Sequence, residues 1–180
     1  MIEHLTSDRY RESGWKNGGG VTREIAAEVG VPPLWRLSVA TIERDGPFSD
    51  YAGYDRTIVA LDGTIELTID GESHLLAPHA PLSFAGEATA SCRVHGGPAH
   101  DLNVMTARAH AAHDVEIVTG RSIFLVDDDE LVFIYALDGA VRADGLACAA
   151  GETLAAENVE RIAIETDPGA HACVVRITPR

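Results

Sequence analysis

One motif occurs twice, and it limits the architecture of this chain more than any other feature. Ala60-Leu61-Asp62-Gly63-Thr64-Ile65 returns 76 residues later as Ala136-Leu137-Asp138-Gly139-Ala140-Val141. Each copy follows an apolar run and precedes a second Asp-Gly, at Asp70 and at Asp144. Downstream, Pro98-Ala99-His100-Asp101-Leu102-Asn103-Val104 is echoed 71 residues on by Gly169-Ala170-His171-Ala172-Cys173-Val174-Val175. Two matches in one order at near-constant spacing describe a duplicated unit, with a join near residues 106–115.

The repeated units are β in character. Trp35 to Glu43, Thr64 to Ile69 and Val159 to Glu165 alternate apolar with polar residues, and Gly, Asp or Pro bounds each run, the period-2 signature of strands. Asp-Gly begins at 45, 62, 70, 138 and 144, and several of these dipeptides stand between apolar runs where hairpin turns are expected. No stretch holds a helical period beyond about two turns; the Ala-rich segment at 107–112 comes nearest. The residues thus predict an all-β sandwich or barrel.

The repeat also compares one half of the chain with the other. Where the first copy has Asp101 and Asn103, the second has Ala172 and Val174. On a strand, residues 101, 103 and 105 share a face, so the first copy aims a carboxylate, an amide and the Met105 thioether the same way. Burying Asp and Asn without partners costs roughly 1–3 kcal/mol each. The sequence therefore predicts a polar cavity in the first unit.

Charge excludes several functions. Lys and Arg total 14 against 28 Asp and Glu, a net −14. Such a chain repels phosphate backbones and anionic lipid heads, so neither nucleic acid nor membrane is an expected partner. The acidity lies mainly beyond residue 60. The single lysine is Lys16, beside Asn17, one of only three asparagines. Three widely spaced cysteines, Cys92, Cys148 and Cys173, argue against a disulfide framework. The start of the chain is polar and lacks the apolar core of a signal peptide, and the longest apolar stretch, Leu131 to Leu137, is far short of the roughly 20 residues that span a bilayer. The expected compartment is the cytoplasm.

Three segments carry candidate chemistry. Trp15-Lys16-Asn17-Gly18-Gly19-Gly20-Val21-Thr22-Arg23-Glu24 sets a cation, an amide and an indole beside three glycines. It reads either as a turn before a strand or as a loop whose backbone N–H groups approach a ligand; it is no Walker loop, because the lysine precedes the glycines. Asp45-Gly46-Pro47-Phe48-Ser49-Asp50-Tyr51 to Arg56 reads either as a pocket rim or as an aromatic plug with Arg56 paired to an acid. The third segment comprises Phe84-Ala85-Gly86-Glu87 and His95 to Arg108.

The runs WKNGGGVTREIA, DGPFSDYAGYDR and GGPAHDLNVMTAR, in that order and spacing, resemble the HutD/Ves family over the first 108 or so residues. Gly14 stands where that family usually has Pro, and Tyr51-Ala52 replaces Phe-Pro; the polar residues of the motifs are kept. The resemblance implies a double cupin, two RmlC-like jelly-roll β-barrels in one chain, here an N-terminal unit 1–108 with the pocket and a structural C-terminal unit 109–180. It also implies a regulatory or accessory role in bacterial histidine utilisation through binding of a small metabolite, with no reaction firmly attached.

Cupins often hold a metal through His-x-His and further ligands. Eight histidines are scattered here with no His-x-His, so no metal and no other cofactor is expected. Asp127-Asp128-Asp129-Glu130 lacks the glycine of a calcium loop and reads as a solvated hairpin tip. The expected ligand is a small carboxylate such as urocanate, formiminoglutamate, formylglutamate or formate. Lys16, Arg23 and Arg56 would supply positive charge, Asn17, Asp101 and Asn103 would orient it, and Trp15, Phe48 and Phe84 would form walls, with Met105 beside them. A metal-independent isomerase or hydrolase and a protein-interaction module are the competing readings. Nothing resembles an activated Ser or Cys nucleophile, and a homodimer is compatible with the sequence.

Overall fold

The computed structural model describes all 180 residues, and apart from a single 3-10 turn at Ser7–Arg9 every regular element is a strand. In chain order these are β1 (Ile2–Leu5), β2 (Arg11–Gly14), β3 (Gly20–Ala27), β4 (Trp35–Ile42), β5 (Gly46–Pro47), β6 (Tyr54–Ile69), β7 (Glu72–Leu76), β8 (Pro81–Ala85), β9 (Ala90–Ala107), β10 (Ala111–Thr119), β11 (Arg121–Leu125), β12 (Leu131–Ala136), β13 (Val141–Ala143), β14 (Leu146–Cys148), β15 (Thr153–Ala156), β16 (Arg161–Thr166) and β17 (His171–Pro179). The Ala-rich segment near 107–112 ends β9, turns and starts β10. No helix is long and apolar enough to cross a membrane. All three cysteines are buried and free.

The chain divides into two compact units, Arg11–His110 and Met1–Tyr10 together with Ala111–Arg180. The boundary at 110/111 falls inside the expected join. The first ten residues do not belong with residues 11–108, as a division at 108/109 would have them. β1 pairs antiparallel with β15, Ile2 opposite Ala156 through Leu5 opposite Thr153, and the Tyr10 hydroxyl bonds Thr153 Oγ1 at 2.9 Å. Ile2 packs on the same core, so apolar burial holds the N-terminus on a distant part of the chain.

In the unit Arg11–His110 the strands follow the order β2-β3-β4-β9-β6-β7, with β8 on β6 and β5 on β9. Its apolar core includes Ile42, Ile58, Ala60, Ile65, Leu67, Leu76, Cys92 and Ala99. The other unit holds two sheets, β1-β15-β12-β17-β10 and β11-β16-β13-β14, around a core that includes Val132, Ile134, Leu154, Ile162, Ile164, Ala172 and Val174. These hydrogen-bonded sheets are open; none closes into a ring.

The duplicated motif has a physical basis. Asp62 Oδ1 accepts the His100 backbone N–H at 3.1 Å and lies 2.7 Å from its Nδ1. Asp138 grips His171 similarly with both oxygens, Oδ1 accepting the backbone N–H at 2.6 Å and Oδ2 lying 2.8 Å from Nδ1. The glycines fit beneath this clamp: a Cβ at Gly63 would meet Ala99 Cβ at 2.6 Å, and one at Gly139 would meet Ala170 Cβ at 2.5 Å. Asp-Gly and Ala-His thus recur together because each pair packs against the other.

Asp-Gly does not always mark a hairpin. Asp70-Gly71 and Asp144-Gly145 have positive φ at both residues, as a type I′ turn requires, and they join β6 to β7 and β13 to β14. Asp62-Gly63 instead lies inside the 16-residue β6, where the pairing with β9 shifts register; it is a bulge. The acidic run 127–130 also departs from expectation. β11 pairs with β16 and not with β12, so no hairpin exists there, and Glu130 is buried and bound to Arg176 at 2.9 Å.

Candidate functional site

A cavity of about 520 Å³ opens in the unit Arg11–His110, lined by the β2–β3 turn, β4, the segment after β5, β6 and β9. That volume suits a small metabolite. Its inner wall is a lattice of three strands. Across it run three rows, Arg36–Met105–Arg56, Ser38–Asn103–Ile58 and Ala40–Asp101–Ala60. Side chains alternate between faces along a strand, so Asp101 and Asn103 emerge into the cavity together with Arg36 and Arg56.

Register decides which of these groups find partners. Asp101 is flanked on both neighbouring strands by alanines, which offer no side-chain hydrogen bond. It is 2% exposed, and its Oδ1 has no hydrogen-bond partner within the protein. Burial pushes its carboxyl up to about 7, against the opposing pull of Arg56 and His100. Asn103 Oδ1 is likewise buried and unpartnered, as are the Nε atoms of Arg36 and Arg56. Four such atoms around one cavity are unusual, since buried polar groups are almost always paired.

Arg56 is the centre of the arrangement. At 4% exposure it makes only a long 3.5 Å bond, to the Ser49 carbonyl. Its guanidinium carbon lies 5.3 Å from the ring centroids of Phe48 and Tyr51 and 5.1 Å from that of Phe84. Three aromatic faces hold the cation by quadrupole attraction and exclude water. Burial lowers its pKa from the ordinary value while the Asp101 charge opposes that fall. Arg36 lies 5.8 Å over Tyr51 and donates to Met105 Sδ at 3.6 Å.

The rim is built by turns. A Cβ at Gly86 would lie 2.3 Å from the Tyr51 carbonyl oxygen, so only glycine lets residues 51–54 dock there. Tyr51 N–H donates to the Gly86 carbonyl at 2.9 Å, and Gly86 N–H donates to that of Tyr54 at 2.7 Å. Arg108 locks this turn, donating to Asp55 at 2.8 Å and to both Glu87 oxygens at 3.0 and 3.1 Å; that bidentate contact holds the Glu87 carboxyl down at about 2.

The glycine triplet serves as a turn. Gly18 N–H donates to the Trp15 carbonyl and Gly19 N–H to Asn17 Oδ1, both at 2.9 Å, so these donors are already engaged. Arg44 caps the turn through the carbonyls of Asn17 and Gly18. The turn presents Trp15, Lys16 and Asn17 to the cavity. Trp15 Nε1 donates to Thr22 Oγ1 at 2.8 Å, and the indole meets Phe48 edge-on at 6.1 Å.

Of the residues singled out from the sequence, Trp15, Lys16, Asn17, Phe48, Arg56, Asp101 and Asn103 line one cavity. Phe84 and Met105 stand behind it, on Arg56 and Arg36 respectively. Arg23 lies outside the lining: it follows Thr22, which lines the cavity, and strand alternation sends it to the other face. Arg56 has no acid in ion-pairing contact, contrary to the plug reading. Tyr51, read from the sequence only as part of a rim or plug segment, lines the cavity, and Arg36 joins the site unforeseen. The signal for Arg36 was present in its strand, where Ser38 and Ala40 on the same side are too small and weakly polar for a solvent face. As a donor set, two guanidiniums and an ammonium against Asp50 and Asp101, with no imidazole or thiolate, suit an anion better than a metal cation.

A family model described as HutD matches residues 7–174. A 21.2 kDa protein of the hutC 3′ region of Pseudomonas putida is 40% identical over 112 residues, 59% of this chain and 59% of that protein. Protein Ves of Citrobacter koseri is 36% identical over 112 residues, covering 57% and 56%. The matched stretch therefore spans less than two thirds of these relatives. Among solved structures, HutD from Pseudomonas fluorescens SBW25, in a formate condition, superposes with a TM-score of 0.91 at 29% identity over the whole of both chains. A Cupin 2 conserved barrel domain protein from Leptotrichia buccalis, 13% identical, superposes with a TM-score of 0.58 over 89% of each chain, so the fold is cupin-like. With its three motifs gathered around one cavity and the family pattern running almost end to end, the chain belongs to the HutD family.

Proposed function

We propose that the unit Arg11–His110 is a receptor for a small carboxylate and serves an accessory or regulatory role in bacterial histidine utilisation. The observation that carries this reading is Arg56, a buried guanidinium with aromatic rings around it and no counter-ion in contact. An unpaired buried charge costs several kcal/mol, and a ligand carboxylate relieves that cost with charge-assisted hydrogen bonds. Asn103 Oδ1 adds an unpartnered acceptor for a ligand N–H or O–H, and Lys16 supplies a third cation, at the mouth. Membership in the HutD family, the hutC-region relative and the formate condition of a solved relative support the choice of ligand class. Urocanate, formiminoglutamate, formylglutamate and formate are the candidates.

In this reading each unit is one jelly-roll cupin barrel, the other unit is structural, and the protein acts in the cytoplasm. Calorimetry with the four candidates tests it. Native protein is expected to give heat with at least one, and Arg56→Met to bind it more weakly; silence from all four in the native protein would sink the ligand class. One observation favours a metal-independent acid–base enzyme as a second reading: a cavity carboxyl at about 7 is suited to proton transfer near neutral pH. Conversion of a bound candidate, lost in Asp101→Asn with binding kept, would establish it.

A further inference from the structure

We propose that this cavity binds a carboxylate together with one proton taken from solvent, and that Asp101 is the group that receives it. The inference rests on the carboxylate reading above and adds the regulation of that site by pH. Its basis is placement. Ala40 and Ala60 flank Asp101 across both strand neighbours, so no side chain there hydrogen-bonds its ionised form. Its Oδ1 is buried and unpartnered in a cavity it shares with Arg56.

A carboxylate entering to pair with Arg56 brings a second negative charge beside Asp101. It also screens the attraction between Arg56 and Asp101 that helps keep Asp101 ionised. Two carboxylates sharing a poorly solvated site do not both stay ionised. Asp101 therefore takes a proton, and its new O–H donates to a ligand oxygen. No covalent bond changes: anion and proton enter together, and the buried set of Arg56, ligand and neutral Asp101 is uncharged as a whole.

Other groups around the cavity leave this balance in place. On β4, Arg36 is half-buried and sits over Tyr51; its charge favours ionised Asp101 but lies in the row beyond Asn103. On β9, His100 is held by Asp62, and Cys92 is a neutral thiol, pushed up to about 12 by burial and by Asp101 itself. Lys16 and Asp50 at the mouth are exposed and screened by water, and the Tyr51 ring faces the guanidiniums of Arg36 and Arg56. The free carboxyl, at about 7, is mostly ionised at pH 8 and protonated at pH 5.

Calorimetry with sodium formate and sodium urocanate, in phosphate and in Tris at pH 8, reads the proton directly, because the two buffers differ in ionisation heat. Uptake close to one proton per ligand is expected at pH 8 and close to none at pH 5, with affinity weakening about tenfold per unit above pH 8. Asp101→Asn is expected to bind with no uptake and a flat pH profile. Heat from native protein that does not depend on buffer at pH 8 overturns this inference alone. Uptake that persists in Asp101→Asn also overturns it. No heat from either probe overturns it together with formate and urocanate as ligands.

Discussion

The two units carry the same strand lattice with opposite contents. Under the offsets of the repeat, Arg56, Asp101 and Asn103 correspond to Val132, Ala172 and Val174. The registers coincide: Ala60 faces Asp101 as Ala136 faces Ala172, and Ile58 faces Asn103 as Ile134 faces Val174. In one unit these positions surround a cavity; in the other all three equivalents lie in a continuous apolar core. The one arginine on this lattice in the second unit, Arg176, has an acid at 2.9 Å in Glu130, whereas Arg56 has none. The same pairing register thus surrounds a polar cavity in one unit and a packed apolar core in the other, with different side chains at these three positions. Four of the five buried unpartnered side-chain atoms lie around the cavity, and the fifth is Nε of Arg176, whose guanidinium is otherwise held by Glu130.

The largest effect should come from forcing one unit to resemble the other. Ala172→Asp places an unpaired carboxyl in the apolar core and is expected to cost up to about 5 kcal/mol in urea unfolding. A loss under about 1 kcal/mol would mean that this interior is not dry and that the contrast fails. The reverse change, Asp101→Ala, should not destabilise at pH 8. Nearly as large is a pH effect. The Asp101 carboxyl lies at about 7 in the fold against roughly 3.9 in the unfolded chain, so between these values the folded chain holds more protons. Stability from this group falls as pH rises from about 4 to 7, by about 4 kcal/mol, and is level above that. Asp101→Asn should remove the decline; parallel curves for variant and native would contradict the burial argument.

A smaller effect concerns the ligand. Arg56→Met is expected to weaken carboxylate binding about 30-fold, corresponding to about 2 kcal/mol, while melting no lower than the native protein, since a buried charge without a counter-ion is removed. An affinity unchanged by this substitution would remove the cation from the site. Smallest are the two clamps. Asp62→Ala and Asp138→Ala should each lower stability by about 1 kcal/mol, since each removes a backbone and a ring contact of a partly exposed carboxylate. A marked inequality between them would break the structural equivalence of the two halves.

The alternation of the strands, the Asp-Gly and Ala-His pairs and the polar-for-apolar exchange at 101 and 103 were all legible in the sequence. Each is a local pattern or a comparison within one chain. So was most of the cavity, because Trp15, Lys16, Asn17 and Phe48 belong to compact motifs. Arg36 was passed over although the small Ser38 and Ala40 share its side of the strand, and its register against Met105 is what places it beside Arg56. Arg23 was included for its charge, and strand parity alone removed it. The role of the glycine triplet was left open by sequence, since a ligand loop and a tight turn need the same residues; the partners of its N–H groups settle the matter.

The sequence by itself determined an all-β chain built twice, with polarity confined to one copy, because periodicity and repetition survive in a one-dimensional string. Tertiary structure decided that residues 1–10 join the later unit and that Asp62-Gly63 is a bulge. It also decided that Glu130 is buried against Arg176 and that Arg56 and Asp101 share a cavity as unmatched charges. Each of these depends on which strands become neighbours and in what register. Those choices are fixed by burial summed over the whole fold, and no short segment carries them alone.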